Sequence, residues 1–324
     1  MPAFDLPLEE LRAYPGRNPR PDDHGDFWST ALAELEDAIP YADVVLDPVP
    51  HVAPYAACSD LWFTGVRGAR VYAKLVRPTG AAAPGPAVLV FHGYSGASPD
   101  WFSLLPYAAQ GFTVAALDVR GQGGRSQDVG GARGGTLEGH IVRGLGDVPE
   151  NLAFRQVYLD TVQLARIVMD LSDVDAERVG TTGVSQGGAL ALACAALEPR
   201  VRAAASVFPF LSDFRRVWEM DLADEAYSEL RSWLRRFDPT HADIEGMWSR
   251  LGYIDVQHLA PRITGDVLMV TGLMDTVCPP STQFAAYNKI AAPKRMVLYP
   301  DFEHENMPGR DDLVLEFLVD RLGG

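Results

Sequence analysis

The feature that most constrains the fold is a glycine-rich segment at residues 183–188, with the sequence Gly-Val-Ser-Gln-Gly-Gly. Residues 178–182, just before it, are short and β-branched, which predicts a buried strand. Residues 189–197, just after it, are apolar and rich in strong helix formers. A serine between glycines at such a junction predicts a sharp, strained turn that holds the hydroxyl of Ser185 clear of the sheet. We expect larger side chains at the flanking glycines to collide where strand and helix cross.

This arrangement is typical of the nucleophile elbow of α/β-hydrolases, in which the serine attacks the substrate. The first turn of the helix leaves the backbone N–H of Gln186 free and aims it at the place where an oxyanion would form. The alternative is a glycine-rich turn whose serine has no chemical role. The other motifs of the sequence distinguish between these two interpretations.

From residue 87 onward the chain alternates between short apolar strands and helical segments. Strands are predicted at 87–91, 113–117, 178–182, 203–207, 267–270 and 296–299. Helices are predicted at 101–109, 153–171, 187–197, 282–290 and 312–321. This alternation predicts an α/β fold, the α/β-hydrolase fold, with a mostly parallel central sheet covered by helices on both faces. Earlier segments at 44–46, 61–66 and 71–76 predict an antiparallel start, with a tight hairpin turn at Arg67 and Gly68.

The length of 324 residues is sufficient for a large core, and we expect a single α/β-hydrolase domain over residues 1–324. An N-terminal extension over residues 1–40 contains a predicted helix at 26–38. Residues 211–261, with three tryptophans among helix-like segments, predict a helical insertion over the strand ends. Residues 121–146 are rich in glycine and predict a long surface loop.

Charge and composition exclude several classes of partner. A net charge of −15 would repel nucleic acid and anionic membranes. Residues 1–10 show no signal-peptide pattern, and no apolar stretch is long enough to span a bilayer. The three cysteines are an odd number without metal-like spacing, so we expect reduced thiols in a cytoplasmic protein, with no metal and no cofactor.

A serine hydroxyl needs a base, and the base needs an acid that orients it. In α/β-hydrolases the acid follows a late strand and the histidine follows the last strand. Asp275 lies just after the strand predicted at 267–270, and His304 just after the strand predicted at 296–299. We therefore predict Asp275 as the acid and His304 as the base. Two other acids are weaker candidates: Asp301 is too close to His304 in sequence but stays open, and Asp266 opens its strand at the wrong edge of the sheet.

The second oxyanion donor is expected in the loop after the strand at 87–91, which reads His-Gly-Tyr-Ser-Gly at 92–96. We predict the backbone N–H of Tyr94 as that donor and a structural role for His92 under the loop. Residues 118–124 contain glycines that resemble a phosphate-binding loop. No Lys-Ser/Thr pair and no helix follows them, so a nucleotide site is not expected.

Three motifs together resemble the signatures of carbohydrate esterase family seven. They are Arg-Gly-Gln at 120–122, Gly-Val-Ser-Gln-Gly at 183–187 and His-Glu at 304–305. The resemblance covers essentially the whole chain, from Phe-Asp-Leu-Pro-Leu at 4–8 through Phe-Pro-Phe-Leu-Ser-Asp-Phe at 208–214. Members of this family are acetyl xylan esterases, also called cephalosporin C deacetylases.

The resemblance implies a triad of Ser185, Asp275 and His304 and oxyanion donors on the backbone of Tyr94 and Gln186. It implies release of acetate from small acetylated carbohydrates such as xylo-oligosaccharides and from cephalosporin C. It also implies a hexamer whose active sites face an inner cavity. Two rival interpretations are a prolyl-oligopeptidase-like serine peptidase, for which the region before the sheet is short, and a catalytically inactive α/β-hydrolase scaffold.

Apolar surface supplies a separate argument for assembly. The antiparallel strands before residue 80 leave edges to protect, and the first helix has an apolar face. We expect these surfaces, together with Trp218, Trp233 and Trp248, to be buried between subunits. The alternative is that the tryptophans are ordinary core residues of the insertion.

Overall fold

The computed structural model describes residues 4–38, 43–50, 53–80, 83–129 and 140–323, and its strands form one twisted sheet in the order β1-β2-β3-β5-β4-β6-β7-β8-β9. The strands of the described residues are β1 (Val45–Val49), β2 (Ala56–Thr64), β3 (Arg70–Pro78), β4 (Gly85–Phe91), β5 (Thr113–Leu117), β6 (Val174–Val184), β7 (Val201–Val207), β8 (Asp266–Gly272) and β9 (Lys294–Tyr299). The helices are α1 (Leu8–Leu11), α2 (His24–Ala38), α3 (Trp101–Ala109), α4 (Ala153–Met169), α5 (Gln186–Leu197), α6 (Phe214–Glu219), α7 (Ser228–Phe237), α8 (Ile244–Gly252), α9 (Val256–Leu259), α10 (Pro280–Lys289) and α11 (Arg310–Leu322).

The pairing of the strands confirms the predicted fold class. Strands β1, β2, β3 and β5 pair antiparallel in succession, whereas β5, β4, β6, β7, β8 and β9 pair parallel. The carboxyl ends of the parallel strands therefore meet at one edge of the sheet, where open α/β sheets bind their ligands.

The antiparallel start folds as a hairpin around the predicted turn. Thr64 at the end of β2 pairs with Arg70 at the start of β3. Arg67 and Gly68 between them both have positive φ, at 62° and 82°. The loop has five residues rather than the two of a tight turn, and the backbone N–H of Gly65 closes it on the carbonyl of Ala69 at 2.8 Å.

Helices cover both faces of the sheet because the central strands are apolar on both faces. In β4, Ala87, Leu89 and Phe91 face one core, which also contains side chains of α2, α4 and α5. Val88 faces the other core, with side chains of α3 and α11. All residues of α5 are buried, as is expected for a helix that carries an apolar sequence on every side.

Helices α6 to α9 lie between β7 and β8, in the stretch predicted as a helical insertion. Trp233 and Trp248 of this stretch are buried in the core of the same chain, and Trp218 packs against the Trp248 ring at 6.1 Å between centroids. The expectation that these tryptophans form a subunit surface is therefore wrong for Trp233 and Trp248. Helices α6 to α9 are too small a unit for a separate hydrophobic core. The two tryptophans pack instead into the core that these helices share with the rest of the chain.

The first long helix buries its apolar face inside the chain as well. Phe27, Trp28 and Leu35 of α2 belong to the main core, and the Trp28 indole stacks on Tyr158 of α4 and donates to the carbonyl of Tyr253 at 2.9 Å. This face was predicted to be covered by a second subunit, but α4 and the insertion cover it instead.

The predicted surface loop at 121–146 has neither helix nor strand in its described parts, 121–129 and 140–146, while 130–139 lie outside the described residues. Among the helices that the structure describes, none combines the length and the apolar character that crossing a bilayer demands.

Candidate active site

Ser185 stands at the junction of β6 and α5 in a strained backbone conformation. Its φ of 59° and ψ of −119° are rarely adopted by a residue with a side chain, and they hold its hydroxyl above the sheet. The flanking glycines are required sterically, because an added Cβ at Gly183 would lie 2.3 Å from the carbonyl carbon of Gly187. An added Cβ at Gly187 would lie 2.0 Å from the carbonyl oxygen of Phe91. The predicted collision is thus present on both sides of the serine.

A chain of hydrogen bonds runs from Ser185 through His304 to Asp275. The Oγ of Ser185 lies 3.1 Å from Nε2 of His304, and Nδ1 of His304 lies 2.8 Å from Oδ2 of Asp275. Because a carboxylate only accepts, Nδ1 donates to Asp275 and Nε2 is left to accept the proton of the serine hydroxyl. The structure therefore brings together the three residues predicted as the triad, although they are far apart in the sequence.

The acid is held by its own loop. Oδ1 of Asp275 accepts hydrogen bonds from the backbone N–H groups of Val277 and Cys278 at 2.9 and 2.7 Å, and the side chain is fully buried. The two amide donors fix the orientation of the carboxyl group, so that Oδ2 faces His304.

The loops that contain Asp275 and His304 are hydrogen-bonded to each other through their backbones, close to the ends of β8 and β9. The N–H of Leu273 donates to the carbonyl of Tyr299, and the N–H of Met274 donates to the carbonyl of Phe302. The two backbones approach so closely that an added Cβ at Gly272 would lie 2.5 Å from the Phe302 oxygen. The spacing between Asp275 and His304 is therefore set by backbone contacts beneath them.

The two alternative acids lie elsewhere. Asp301 is exposed in the turn that follows β9, whereas His304 pairs with Asp275. Asp266 begins β8 at the opposite edge of the sheet and pairs with Arg321 at 2.5 Å.

The loop after β4 is shaped by His92. Its Nε2 accepts from the backbone N–H of Val119 at 3.0 Å, and its Nδ1 faces the carbonyl of Gly93 at 2.7 Å. Since Nε2 accepts, Nδ1 carries the proton, and burial lowers the pKa of the imidazole. These contacts fit the structural role predicted for His92 under the loop that contains Tyr94.

Gln186, whose backbone N–H is the first of α5, is fixed by its side chain. Its amide group pairs reciprocally with that of Gln122, with N–O distances of 2.7 and 3.0 Å. The N–H of Gln186 is one of those that have no acceptor within the helix. The Arg-Gly-Gln motif thus holds the elbow through its glutamine.

The arginine of that motif has a separate, buried partner. Arg120 forms a two-point ion pair with Asp160 of α4, at 2.6 and 2.5 Å, and also donates to the carbonyl of Val66 at 3.2 Å. It therefore ties the loop after β5 to α4 and to the hairpin.

Aromatic rings from the segment after β7 contact His304 and Tyr94. The Phe208 ring lies 4.3 Å from the His304 ring, and the Phe210 ring lies 5.2 Å from the Tyr94 ring, between centroids. The backbone N–H of Phe210 donates to the carbonyl of Ser185 at 3.1 Å. Trp101 lies elsewhere: it begins α3 and has the Lys74 ammonium 5.5 Å from its ring centre.

Cys278 is a residue at this site that the sequence did not single out. Its thiol is buried beside the Ser185 hydroxyl, and burial raises its pKa, which keeps it protonated. One ligand atom each of Asp275, Cys278 and His304 lies within 4.8 Å of the others. The oxygens of Asp275 accept from His304 and from two backbone amides, so Asp275 and His304 of this group already belong to the hydrogen-bond chain with Ser185. Its position three residues after Asp275 is the signal that could have indicated Cys278.

A mostly parallel sheet with a serine at its central strand-to-helix turn, and an acid and a histidine after later strands, defines an α/β-hydrolase. The acetyl xylan esterase (AXE1) family model matches residues 1–321, and the chain belongs to this family of carboxylic ester hydrolases. The resemblance to carbohydrate esterase family seven is thereby confirmed.

Solved structures agree over the whole chain. Acetyl xylan esterase 1 from Thermoanaerobacterium sp. JW/SL YS485 is 53% identical, with a TM-score of 0.96 over 99% of this chain and 100% of that one. Acetyl xylan esterase from Paenibacillus sp. R4 is 36% identical, with a TM-score of 0.93 over 98% and 100%. The acetyl esterase Axe7A from Xylanibacter ruminicola is 34% identical over 166 residues, which are 51% of this chain but only 36% of that relative.

Proposed function

We propose that this protein is a serine esterase that removes acetyl groups from small acetylated carbohydrates, such as xylo-oligosaccharides, and from cephalosporin C. The observation that carries the proposal is the continuous chain of hydrogen bonds from Ser185 through His304 to Asp275. Membership of the acetyl xylan esterase family supports the acetyl ester as the substrate class.

The reaction proceeds through an acyl-enzyme. Ser185 attacks the acetyl carbonyl while Nε2 of His304 takes the hydroxyl proton, and His304 then gives that proton to the leaving sugar oxygen. Asp275 keeps Nδ1 protonated and stabilises the imidazolium ion. Water activated by His304 attacks the acetyl-serine, which releases acetate and restores the hydroxyl.

The negative charge on the tetrahedral intermediate is received by backbone amides. Gln186 contributes the first N–H of α5, and the helix dipole favours negative charge at that end. Tyr94 contributes the second N–H from the loop after β4. The side-chain pair of Gln122 and Gln186 supports this role, because it fixes the residue that carries the first donor.

Removal of the nucleophile tests the proposal. Ser185→Ala should lower the turnover of p-nitrophenyl acetate on the order of 10⁴-fold or more while the fold is retained. The matched control is Ser103→Ala, at an exposed serine of α3, which should keep wild-type turnover. A folded Ser185→Ala protein with near-native activity would show that Ser185 is not the nucleophile, and a wild type without turnover would favour the inactive scaffold.

The aromatic side chains around the reacting groups predict a short acyl pocket. Phe208 packs against His304, and Tyr94 against Phe210, so bulky rings lie close to the proposed catalytic residues and restrict the space for an acyl group. We expect p-nitrophenyl acetate to react well ahead of the butyrate and longer esters. A rate on the octanoate equal to that on the acetate would contradict this pocket.

Acetate release measured on several substrates tests the proposed substrate range. Acetylated xylo-oligosaccharides, glucose pentaacetate and cephalosporin C should each release acetate, and intact polymeric xylan should do so more slowly than its short oligomers. Equal rates on polymer and oligomer would remove the restriction to small substrates.

We also propose a hexamer in the cytoplasm. The edge strand β1 exposes Val45 and Leu46 by 41% and 37%, an apolar edge that a neighbouring subunit would cover. The buried, unpaired Cys58, Cys194 and Cys278 are consistent with a reducing compartment. Light scattering after size exclusion should give six times the mass of one chain, and a species near 35.3 kDa would overturn the assembly.

A further inference from the structure

Glu229 is a buried carboxylate that the esterase mechanism does not use. It lies in the first turn of α7, within the helical insertion, and is 3% exposed. Its hydrogen-bond partners are neutral groups, a tyrosine hydroxyl and a backbone N–H. One oxygen accepts from the Tyr94 hydroxyl in a short hydrogen bond, and the other accepts from the backbone N–H of Val142 at 3.0 Å.

The Tyr94 hydroxyl is the centre of this contact. It donates to Glu229 and accepts from the backbone N–H of His140 at 2.7 Å. The Tyr94 ring lies between the Phe210 ring at 5.2 Å and the His140 ring at 5.5 Å. The side chain of Tyr94 is therefore held at its tip and along its length.

The same residue supplies a backbone N–H to the proposed oxyanion hole. The chain turns sharply at this point, with a φ of 57° at the following residue, Ser95, and with the N–H of Gly96 bonded to the carbonyl of Gly93 at 3.1 Å. The contact with Glu229 is one of the restraints on this turn, so its loss would leave the backbone that carries the Tyr94 N–H less firmly held. Since an oxyanion donor acts only at short distance, a displacement on the order of 1 Å weakens it considerably.

We propose that Glu229 is a positioning residue for catalysis: by holding the Tyr94 hydroxyl and the 140–142 segment together, it fixes the Tyr94 N–H in the oxyanion hole and couples the helical insertion to the chemical step. This inference rests on the proposed esterase function. It assigns to the insertion a part in transition-state stabilisation in addition to covering the strand ends.

The ionised form of Glu229 is the form that fits its partners. Two donors, the Tyr94 hydroxyl and the Val142 N–H, point at its two oxygens, so a proton on either oxygen would displace one of them. Burial works in the opposite direction and raises the pKa of Glu229 to about 7. The titratable groups that face it from the packed elements are the Tyr94 hydroxyl and, across the Tyr94 ring, the His140 imidazole. The contact should therefore strengthen as the pH rises through about 7.

A double-mutant cycle with p-nitrophenyl acetate tests the coupling. Glu229→Gln and Tyr94→Phe should each lower kcat about 10-fold with little change in KM, because the affected interaction is made in the transition state. The double variant Tyr94→Phe/Glu229→Gln should be no slower than the slower single variant, since both changes break one contact. The pH profile of kcat/KM of the wild type should include an ionisation near pH 7 that Glu229→Gln lacks.

Control variants distinguish a failure of this inference from a failure of the proposed esterase function. Glu245→Gln makes the same chemical change at an exposed position of α8 and should keep the wild-type kcat. If the wild type turns over the ester and Ser185→Ala does not, the proposed function stands. Multiplicative effects in the double variant, or an unchanged kcat in Tyr94→Phe, would then overturn the role of Glu229 alone. Should Glu229→Gln fail to fold, Tyr94→Phe tests the same contact from the other side.

Discussion

At the scale of single residues, the proposed catalytic groups depend on side chains and backbone groups that have no chemical role of their own. Asp275 presents one oxygen to His304 because two amides of its own loop hold the other oxygen. Ser185 presents its hydroxyl because a left-handed backbone conformation, permitted by the glycines around it, lifts it from the sheet. The chemistry of each group is therefore fixed before a substrate binds, which is the arrangement that makes electrostatic stabilisation effective.

The acid can be tested against its nearest rival in sequence. Asp275→Asn should retain the fold and lower kcat/KM for p-nitrophenyl acetate by roughly 10⁴-fold, because the amide favours the wrong histidine tautomer. Asp301→Asn, at an exposed side chain in the turn after β9, is the matched control and should stay close to the wild type. The reverse ranking would move the acid to Asp301.

The sequence could predict the residues that occupy fixed positions in an α/β-hydrolase, and little of what surrounds them. Ser185, Asp275 and His304 each follow a strand, so the order of strands is sufficient to place them. Glu229 follows no such order, and Cys278 is indicated only by its position three residues after Asp275. Their closeness to Tyr94 and Ser185 depends on how α7 and the loop before α10 pack, and a one-letter sequence does not contain that packing.

At the scale of elements, the strands and helices with strong apolar periodicity could be predicted, and β5 and α3 have the predicted bounds. The differences occur where local pattern is weak. Helix α1 has four residues, too few for a period, and β2 begins at Ala56 rather than at residue 61. The extra residues of β2 are strand because β1 and β3 supply partners on both sides, and such partners override propensity.

The ion pair of Arg120 and Asp160 joins three elements, namely the loop after β5, α4 and the hairpin. Asp160→Asn should lower the free energy of unfolding by about 3–5 kcal/mol, because it leaves a buried guanidinium without its counter-charge. Urea unfolding followed by circular dichroism measures the change. Glu245→Gln removes an ion pair at an exposed side chain and should leave the urea midpoint near that of the wild type. Equal midpoints for the two variants would contradict the structural role of the Arg120 pair.

At the scale of the whole molecule, the N-terminal segment is anchored far along the chain by buried polar groups. The Tyr14 hydroxyl and the backbone N–H of Asn18 donate to Asp213, at 2.8 and 2.7 Å. Asp255 in turn accepts from the backbone N–H of Asp213 at 3.0 Å, and burial, aided by the charge of Asp213, raises the pKa of Asp255 to about 7. The net charge of −15 thus coexists with a buried carboxylate that accepts hydrogen bonds from residues 14 and 18 of the N-terminal segment.

Two histidines lie against this anchor and respond to acid in the opposite sense. His24, at the start of α2, is fully buried, and both of its ring nitrogens have no hydrogen-bond partner among the described residues. Burial, aided by Arg20 and Arg262, lowers the pKa of His24 to about 4. Burial likewise lowers the pKa of His258, whose ring lies 5.9 Å from that of His24, to about 3.

These directions predict how stability depends on pH. An unfolded chain protonates His24 near pH 6.5, whereas the folded chain excludes that proton until about pH 4. The unfolded state therefore binds more protons between these values, and His24 lowers stability as the pH falls from about 6.5 to about 4. Asp255 acts oppositely, because the folded state keeps its proton up to about pH 7, so stability gains on acidification.

The contribution of His24 to the pH dependence of stability is measured by comparing a variant with the wild type, because the wild-type dependence also contains the opposing effect of Asp255. His24→Leu replaces the imidazole by an apolar side chain of similar size and removes the proton that only the unfolded state takes up. The variant should therefore lose less of its urea midpoint than the wild type between pH 7.5 and pH 5. His241→Asn, at an exposed histidine of the insertion, is the matched control and should follow the wild-type slope. If His24→Leu follows the wild-type slope as well, proton exclusion at His24 does not set the acid stability of this fold.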